Sequence, residues 1–334
     1  MRARLLELVA RFARQRVVVV GDVAADEFLY GRVARVSREA PVLILEYDTT
    51  EVVAGSAGNA ANNIAALGGR ARLFGCIGRD ASGERLVASF HPGVETAGLV
   101  KVDGYATPTK TRVLAGGIHS AKQQVVRIDR RQGPVPVRQV HEAFERRLAR
   151  ALASCHAVLI SDYGAGLVTP RLVARLRRAL RERRGARVPV LVDSRYALDR
   201  FPGLTIATPN ESEVEQLLGL RIDDDRRVLE QAGRTLLDRT RLDALLVTRG
   251  SRGMALFQPG TATVHLPIFG TDEIADVTGA GDTVIATMAQ ALASGGTFEE
   301  AARLATYAAG LVVMKRGTAT VGVDELRSAI EHDT

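Results

Sequence analysis

The sequence predicts an α/β fold: a three-layer α/β/α sandwich with a mostly parallel central sheet and a small β-sheet lid. Short β-rich apolar runs alternate with longer helical patterns, which is how parallel strands covered by helices on both faces read. Two stretches break that alternation with strand-like runs that have no helix between them, as a small antiparallel flap would. The 334 residues are 46% apolar and 25% charged, the composition of a globular chain, which excludes a mainly disordered one.

At the N-terminus, MRARLLELVARFARQR sets Leu5, Val9 and Phe12 on one helical stripe. Glu7 and Arg11 interrupt what a secretion signal would keep apolar, so the segment reads as a short amphipathic helix packed on the domain. Buried strands are expected at VVVV (17–20), RLFGCI (72–77), AVLIS (157–161), VPVLVD (188–193) and ALLVT (244–248), with a short one at LTIAT (204–208). Helices are expected at 57–67, 137–153, 170–184 and 225–239, and residues 279–330 read as mostly helical. The exceptions are PVLILEY (41–47) and the pair 110–115 and 123–129, joined by GGIHSA (116–121), which suits a hairpin. They predict a lid contributed by about residues 26–50 and 105–130, on a single domain spanning 1–334 with no repeat or linker.

The net charge of +7 is concentrated in one place. Residues 171–187 hold eight Arg against one Glu, around a stripe of Leu172, Leu176 and Leu180. No aromatic or recognition-helix pattern accompanies this charge, and 41 Arg against four Lys across the chain points to a solvated helix. Neither a nucleic-acid nor a membrane partner is expected, and no run reaches the roughly 18 apolar residues of a membrane span. Two cysteines, Cys76 and Cys155, cannot form a disulfide framework, and the cytoplasm is the expected location.

Several common signatures are absent: G-x-x-x-x-G-K-[ST], G-x-G-x-x-G and G-x-S-x-G do not occur, and the six His lack metal spacing. The strongest local signal is Asp276-Val277-Thr278-Gly279-Ala280-Gly281-Asp282, running into a helical pattern. Backbone N–H groups at a helix start favour a phosphate. A carboxylate there repels phosphate, and Asp282 makes chemical sense as a base that takes the proton of a hydroxyl attacking phosphorus. By spacing alone, the same pattern also suits a capped helix whose turn is shaped by two glycines.

A second cluster, Gly55-Ser56-Ala57-Gly58-Asn59, lets backbone approach a small ligand. It also sets Asn59 and Asn63 on one helix face, where amides can meet sugar hydroxyls. Asp22 and Asp26 follow the first strand, where ligands of open α/β sheets collect. Late in the chain, Asn210 and Glu213 sit in TPNESE, and Thr248, Gly250 and Gly253 in TRGSRG. The carboxylate could hold Mg²⁺ through water, and the glycines could let backbone amides meet a nucleotide. Taken singly, Asn210 equally suits a helix cap and Gly250 a turn.

Together these residues resemble the ribokinase-like (PfkB) carbohydrate kinases over essentially the whole chain. DVTGAGD (276–282) is similar to that family's C-terminal signature, and GSAGN (55–59) to its N-terminal motif, with Ser56 where a second glycine is usual. Asn210-x-x-Glu213 and Thr248-x-Gly250-x-x-Gly253 resemble two further motifs. Within the family, residues 21–42, 112–129, 161–167 and 276–284 most resemble the D-glycero-β-D-manno-heptose 7-phosphate kinases, with S-x-E-A-P-V (37–42) the most diagnostic piece. The resemblance implies transfer of phosphate to the anomeric hydroxyl of a heptose 7-phosphate, toward ADP-heptose. Many such relatives carry a C-terminal adenylyltransferase domain; none is expected in this chain, which ends at Thr334. It departs from the pattern at Ala165 and Arg195, where lysine is usual, and at Thr306, where asparagine is.

The expected activity is therefore transfer of the γ-phosphoryl group of Mg-ATP to a sugar hydroxyl. Asp282 is the expected general base, with the amides of Gly279, Ala280 and Gly281 stabilising the transferred group. Asp26, Gly55, Asn59 and Asn63 are expected at the sugar, and Lys110, Arg112 and Arg127 at a phosphate it already carries. Asn210, Thr248, Gly250, Gly253 and Gly317 are expected at the nucleotide, and Glu213 at Mg²⁺, with a monovalent cation a further candidate. A homodimer through the β lid is expected, because edge strands there can pair with a second copy. The alternatives are a ribokinase- or phosphofructokinase-type kinase for another sugar or sugar phosphate, and a non-catalytic sugar- or nucleotide-binding regulator.

Overall fold

Four consecutive valines set the plan of the molecule. In the computed structural model, Val17 and Val19 belong to one hydrophobic core and Val18 and Val20 to another. Successive side chains of a strand point to opposite faces, so a strand covered on both sides has no polar face to show. The structure describes residues 1–334 apart from 117–121, 131, 132, 134, 271–274 and 334.

In chain order the helices are α1 (Arg2–Ala10), α2 (Ala57–Ala66), α3 (Ala81–Ala88), α4 (Val137–Ser154), α5 (Pro170–Arg181), α6 (Glu211–Leu218), α7 (Arg226–Thr240), α8 (Ala280–Ala293), α9 (Phe298–Val313) and α10 (Val323–His332). The strands are β1 (Arg16–Gly21), β2 (Val23–Val36), β3 (Leu43–Ser56), β4 (Arg70–Gly78), β5 (Val94–Val102), β6 (Thr109–Gly116), β7 (Gln123–Arg130), β8 (Ala157–Asp162), β9 (Val190–Ser194), β10 (Ile206–Ala207), β11 (Ala244–Thr248), β12 (Met254–Phe257) and β13 (Val264–Leu266). Among the described residues, no helix is long and apolar enough to cross a membrane.

The larger sheet runs β13-β12-β11-β10-β9-β8-β1-β4-β5 and is parallel from β11 to β5. Helices α1, α2, α8, α9 and α10 cover one face, and α4, α5 and α7 the other. The sheet is closed at one edge by the antiparallel pairs β11–β12 and β12–β13, a hairpin too short to show as a sequence period. Strand β5 was also not among the sequence expectations; its alternating exposure breaks up the apolar run.

The smaller sheet, β3-β2-β6-β7, is the lid. β2 is its longest surprise. Its first six residues are buried and its last five exposed, so no single period describes it. It pairs antiparallel with β3 through two bulges and parallel with β6. β6 and β7 pair antiparallel as expected, while residues 117–121 of the anticipated hairpin loop lie outside the described residues.

Chain order reverses at β1. The strands β4 and β5 extend the sheet on one side, and β8 through β11 on the other. In an open parallel sheet such a switch point opens a crevice beyond the carboxyl ends of the two diverging strands. Asp22 follows β1 at that point, and Tyr163 follows β8.

Candidate active site

The loop before α8 is folded by its own first residue. The Asp276 carboxylate accepts hydrogen bonds from the N–H groups of Thr278 (2.8 Å) and Gly317 (3.1 Å). Burial alone would raise its pKa, but these bonds outweigh it and hold the carboxyl below the ordinary range. Gly279 then takes φ 82°, and a Cβ there would come within 2.5 Å of Asn59 Nδ2, so only glycine fits. Of the three amides assigned to the transferred phosphoryl group, that of Ala280 donates instead to the Val277 carbonyl at 3.2 Å. The N–H groups of Gly279, Gly281 and Asp282 have no partner among the described residues. The amides free at the positive end of α8 thus include Gly279 and Gly281 of the expected set, with Asp282 in place of Ala280.

Asp282, in the first turn of α8, is 4% exposed. Asn59 Nδ2 donates to its Oδ2 at 2.9 Å and the Tyr163 hydroxyl to its Oδ1 at 3.1 Å. Burial raises its pKa to about 7; the bonds from Asn59 and Tyr163 pull the other way, Asp26 adds to the rise and Lys110 opposes it. A carboxylate poised near neutrality suits proton abstraction.

Asn59 and Asn63 line neither of the two clefts beside α8, whereas their amides were expected to meet a sugar. Both are sealed between α2 and α8, at 1% and 0% exposure. Asn63 Nδ2 donates to Asn59 Oδ1 (3.1 Å), and Thr283 Oγ1 donates to Asn63 Oδ1 (3.0 Å). The chain Thr283–Asn63–Asn59–Asp282 fixes the carboxylate's orientation from behind.

A cleft of about 420 Å³ opens at the switch point, in front of Tyr163. Among the described residues, Lys110, Arg130 and Arg195 are its cations, with Asp22, Ser56, Asp129 and Ala165 also on its wall. The Lys110 ammonium lies 5.2 Å from the centre of the Tyr163 ring. Burial lowers the Lys110 pKa, and Asp26 and Asp282 partly restore it. Asp22 Oδ2 accepts from the N–H groups of Tyr163 (2.9 Å) and Ala165 (3.0 Å), tying the loop after β8 to the end of β1. Burial pushes Asp22 up to about 6 against those bonds.

Three of the expected substrate residues hold one another. Arg112 Nη1 donates to Asp26 Oδ1 at 2.8 Å in a buried pair, and the guanidinium lies over the Phe28 ring. Gly55 lies against Asp26, since a Cβ there would meet Asp26 Oδ2 at 2.5 Å. Thr318 Oγ1 completes the carboxylate's set at 3.3 Å. Arg112 is therefore Asp26's counter-ion, and it is absent from the cleft wall. Arg127 is also outside the cleft: it sits on an exposed strand and makes a bidentate pair with Asp129 (2.7 and 2.9 Å). Arg130, not anticipated, takes the place on the wall.

On the other side of the α8 start lies a second, more apolar cleft. Thr248, Gly250 and Gly253 line it as expected, together with Met254, Phe269, Ala280, Gly281, Val284 and Thr306. Gly253 is fixed by geometry: at φ 78°, a Cβ would come 2.0 Å from the Leu266 carbonyl oxygen. Gly317 is not on this wall; it packs against Phe28 and binds Asp276. Asn210 and Glu213 also stand apart, joined in a capping box at the start of α6 (2.9 and 3.0 Å).

Glu213 nevertheless belongs to a crowd of carboxylates at the strand ends. Burial pushes Asp193 well above the ordinary range, and Glu213, Asp282 and Asp162 add to it. Among the described residues, no three His, Cys, Asp or Glu side chains already form a metal cage. Crowded carboxylates without a cage fit a cation that arrives with phosphate oxygens of its own. Asp193, Tyr163 and Arg130 were missed in the sequence; the signal for the first two was their place at the carboxyl ends of buried strands.

Comparisons with known proteins identify the family and the fold. Residues 14–325 match the pfkB family carbohydrate kinases. The chain is 39% identical over 333 residues to the bifunctional protein HldE of Geobacter sulfurreducens, covering 97% of this chain and 65% of that one. It is 41% identical over 320 residues to HldE of Proteus mirabilis, covering 96% and 64%. The chain thus spans about 64% of the length of such relatives. Its fold is similar to that of Arabidopsis thaliana ribokinase complexed with ribose and ATP, with TM-score 0.72 and 21% identity over 96% of this chain and 99% of that chain. Escherichia coli phosphofructokinase-2, in complex with substrates and products, has TM-score 0.72 and 18% identity over 95% and 98%. A match that runs through both clefts and the helix start between them places this chain in the pfkB family of carbohydrate kinases.

Proposed function

We propose that the chain is a sugar-phosphate kinase, transferring the γ-phosphoryl group of ATP to the anomeric hydroxyl of D-glycero-β-D-manno-heptose 7-phosphate. The observation that carries this reading is the position of Asp282, beside unpartnered helix-start amides and bonded to Tyr163, which lines a cleft bearing Lys110, Arg130 and Arg195. An unphosphorylated sugar needs no such set of cations; a phosphate on the far end of the sugar does.

In the proposed reaction the acceptor hydroxyl faces Asp282, which takes its proton as the new oxygen–phosphorus bond forms and the bond to ADP breaks. The N–H groups of Gly279 and Gly281 hold the charge that develops on the transferred group. The apolar cleft around Phe269 and Thr306 receives the base, and Gly250 and Gly253 let backbone approach the nucleotide. Mg²⁺, when bound with ATP, would neutralise phosphate charge near Asp193 and Glu213. Asp26, oriented by Arg112 and Thr318, is the remaining carboxylate beside the sugar. Lid strands β2 and β6 bring Asp26 and Lys110 over the cleft, and closure would exclude competing water. The lid is also the proposed homodimer surface, in a cytoplasmic enzyme whose kinase activity is complete in one domain.

The test is a substrate panel with Mg-ATP: heptose 7-phosphate, fructose 6-phosphate, fructose 1-phosphate and ribose, followed by ADP release and phosphorus NMR of the product. The heptose phosphate is expected to give the highest kcat/KM, with the new phosphate at the anomeric carbon. Preference for ribose would overturn the reading, and no ADP release with any acceptor would leave a binding protein instead.

A further inference from the structure

A third cleft lies at the opposite end of the sheet from both of those described. It encloses about 310 Å³ between the end of α5, the loop that follows it and the start of β10. Arg177, Arg181, Arg183 and Arg187 line it over an apolar floor that includes Leu180, Val188 and Leu204, and among the described residues no Asp or Glu is on its wall. Val190 and Thr205 belong to this cleft, whereas Asp193 and Thr208 end the same two strand segments on the catalytic side. A rise of about 3.3 Å per residue separates the two sites by on the order of 10–15 Å.

The arginines of α5 and of the loop after it are treated differently on the two sides of the helix. Away from the cleft, Arg175 pairs with Glu145, and Arg178 with Glu182 at 2.9 Å. Facing the cleft, two guanidiniums are anchored on carbonyls: Arg177 Nη1 on Pro202 (2.8 Å), and Arg183 Nη1 on Leu152 (3.0 Å) and Cys155 (2.8 Å). Each anchor uses one nitrogen of a fork that has five N–H donors, so the others stay available at fixed positions. A Cβ on Gly203 would lie 3.0 Å from Arg177 Nη2, so this glycine leaves the fork its space. Arg187 pairs with Asp243 at 2.8 Å, and Arg181 makes no hydrogen bond or ion pair among the described residues. Arg177 and Arg181 are one helical turn apart, where like charges repel and an anion between them relieves the repulsion.

We propose that this cleft is a second anion site, for a small ligand carrying a diphosphate or an equivalent pair of phosphoryl groups. The volume is at the lower end of ordinary ligand pockets, which suits a small phosphorylated molecule. Pre-anchored guanidinium forks match phosphate oxygens in pairs, and the apolar floor takes the remainder of the ligand. The site is separate from the proposed kinase reaction and does not depend on which sugar that reaction uses.

Calorimetric titration of the full chain with sodium pyrophosphate, without Mg²⁺, tests it. The wild type is expected to show one more binding event than Arg181→Glu, or the same event about tenfold or more tighter, because a charge-assisted bond has that worth. Arg181 holds no structural contact, so the variant is expected to fold and to turn over its sugar phosphate as the wild type does; Arg181→Lys should fall between the two in affinity. Superimposable isotherms for wild type and Arg181→Glu overturn the proposal. Loss of duplex-DNA binding in Arg181→Glu, with pyrophosphate binding unchanged, would also overturn it in favour of a nucleic-acid surface.

Discussion

Burial, opposed by two hydrogen bonds, decides what Asp282 can do. With its pKa at about 7, the carboxyl is protonated below neutrality and cannot accept a hydroxyl proton; above neutrality it can. Turnover is therefore expected to rise as pH increases through about 7 and then level off, read as kcat against pH at saturating Mg-ATP. Asp282→Asn should lower kcat by about 10²–10⁴-fold, with ATP binding retained, and should abolish that limb of the profile. Near wild-type turnover in the variant would remove the base assignment. Tyr163 is the more discriminating position, because its hydroxyl stabilises the ionised form without touching the acceptor's proton. Tyr163→Phe should move the limb about one unit toward alkaline pH, since a bond to a charged group is worth roughly that much. Activity at pH 9 should largely recover, whereas a purely structural loss would lower the whole curve without moving it.

At the scale of elements, Ser56 joins β3 to α2 with φ 56° and ψ −133°, a conformation that glycine adopts and a side chain resists. Its hydroxyl caps no helix N–H, so nothing local offsets the strain. Ser56→Gly is expected to raise unfolding stability by about 1 kcal/mol, the backbone strain relieved less the entropy that glycine adds to the unfolded chain. Urea denaturation checks it, with Ser56→Ala as a control that should gain nothing. The same join shows what could be read in advance. DVTGAGD was legible because one short segment carries the loop with the proposed cradle and base together, and the buried parallel strands were legible because both of their faces are apolar. Tyr163 and Asp22 meet across 141 residues of sequence, and Arg112 turns from substrate ligand to counter-ion only because β6 lies beside β2. No local period encodes either meeting. The long strand β2 falls largely within the expected lid region, but its extent was not legible for a related reason: it passes from core to solvent along its length, so its pattern changes midway.

On the scale of the whole molecule, the two ends of the lid strands differ in burial, and each end has its own proposed role. The inner half of β2 is buried where it carries Asp26 toward Asp282, and its outer half projects with β3 beyond the body of the protein. That outer part carries large exposed apolar side chains among its charged ones. Val36 and Leu43 lie opposite each other in the β2–β3 register and are 60% and 48% exposed, and Tyr47 on the same strand is 63% exposed. On the opposite edge, Val126 and Ile128 are also exposed, along a strand with no buried residue. Apolar side chains grouped on an edge invite pairing, and a second lid would cover them while leaving both clefts with their own Asp282. Light scattering is expected to give twice 35.8 kDa for the native chain. The double substitution Val36→Asp and Leu43→Asp puts two like charges directly opposite each other at the proposed contact, and should yield a species near 35.8 kDa with unchanged circular dichroism. If the lid closes over the sugar only when braced by its partner, that monomer should also show a raised KM for the sugar phosphate with a nearly unchanged KM for ATP. A native chain already at 35.8 kDa would instead assign the exposed valines and Tyr47 no partner among copies of itself.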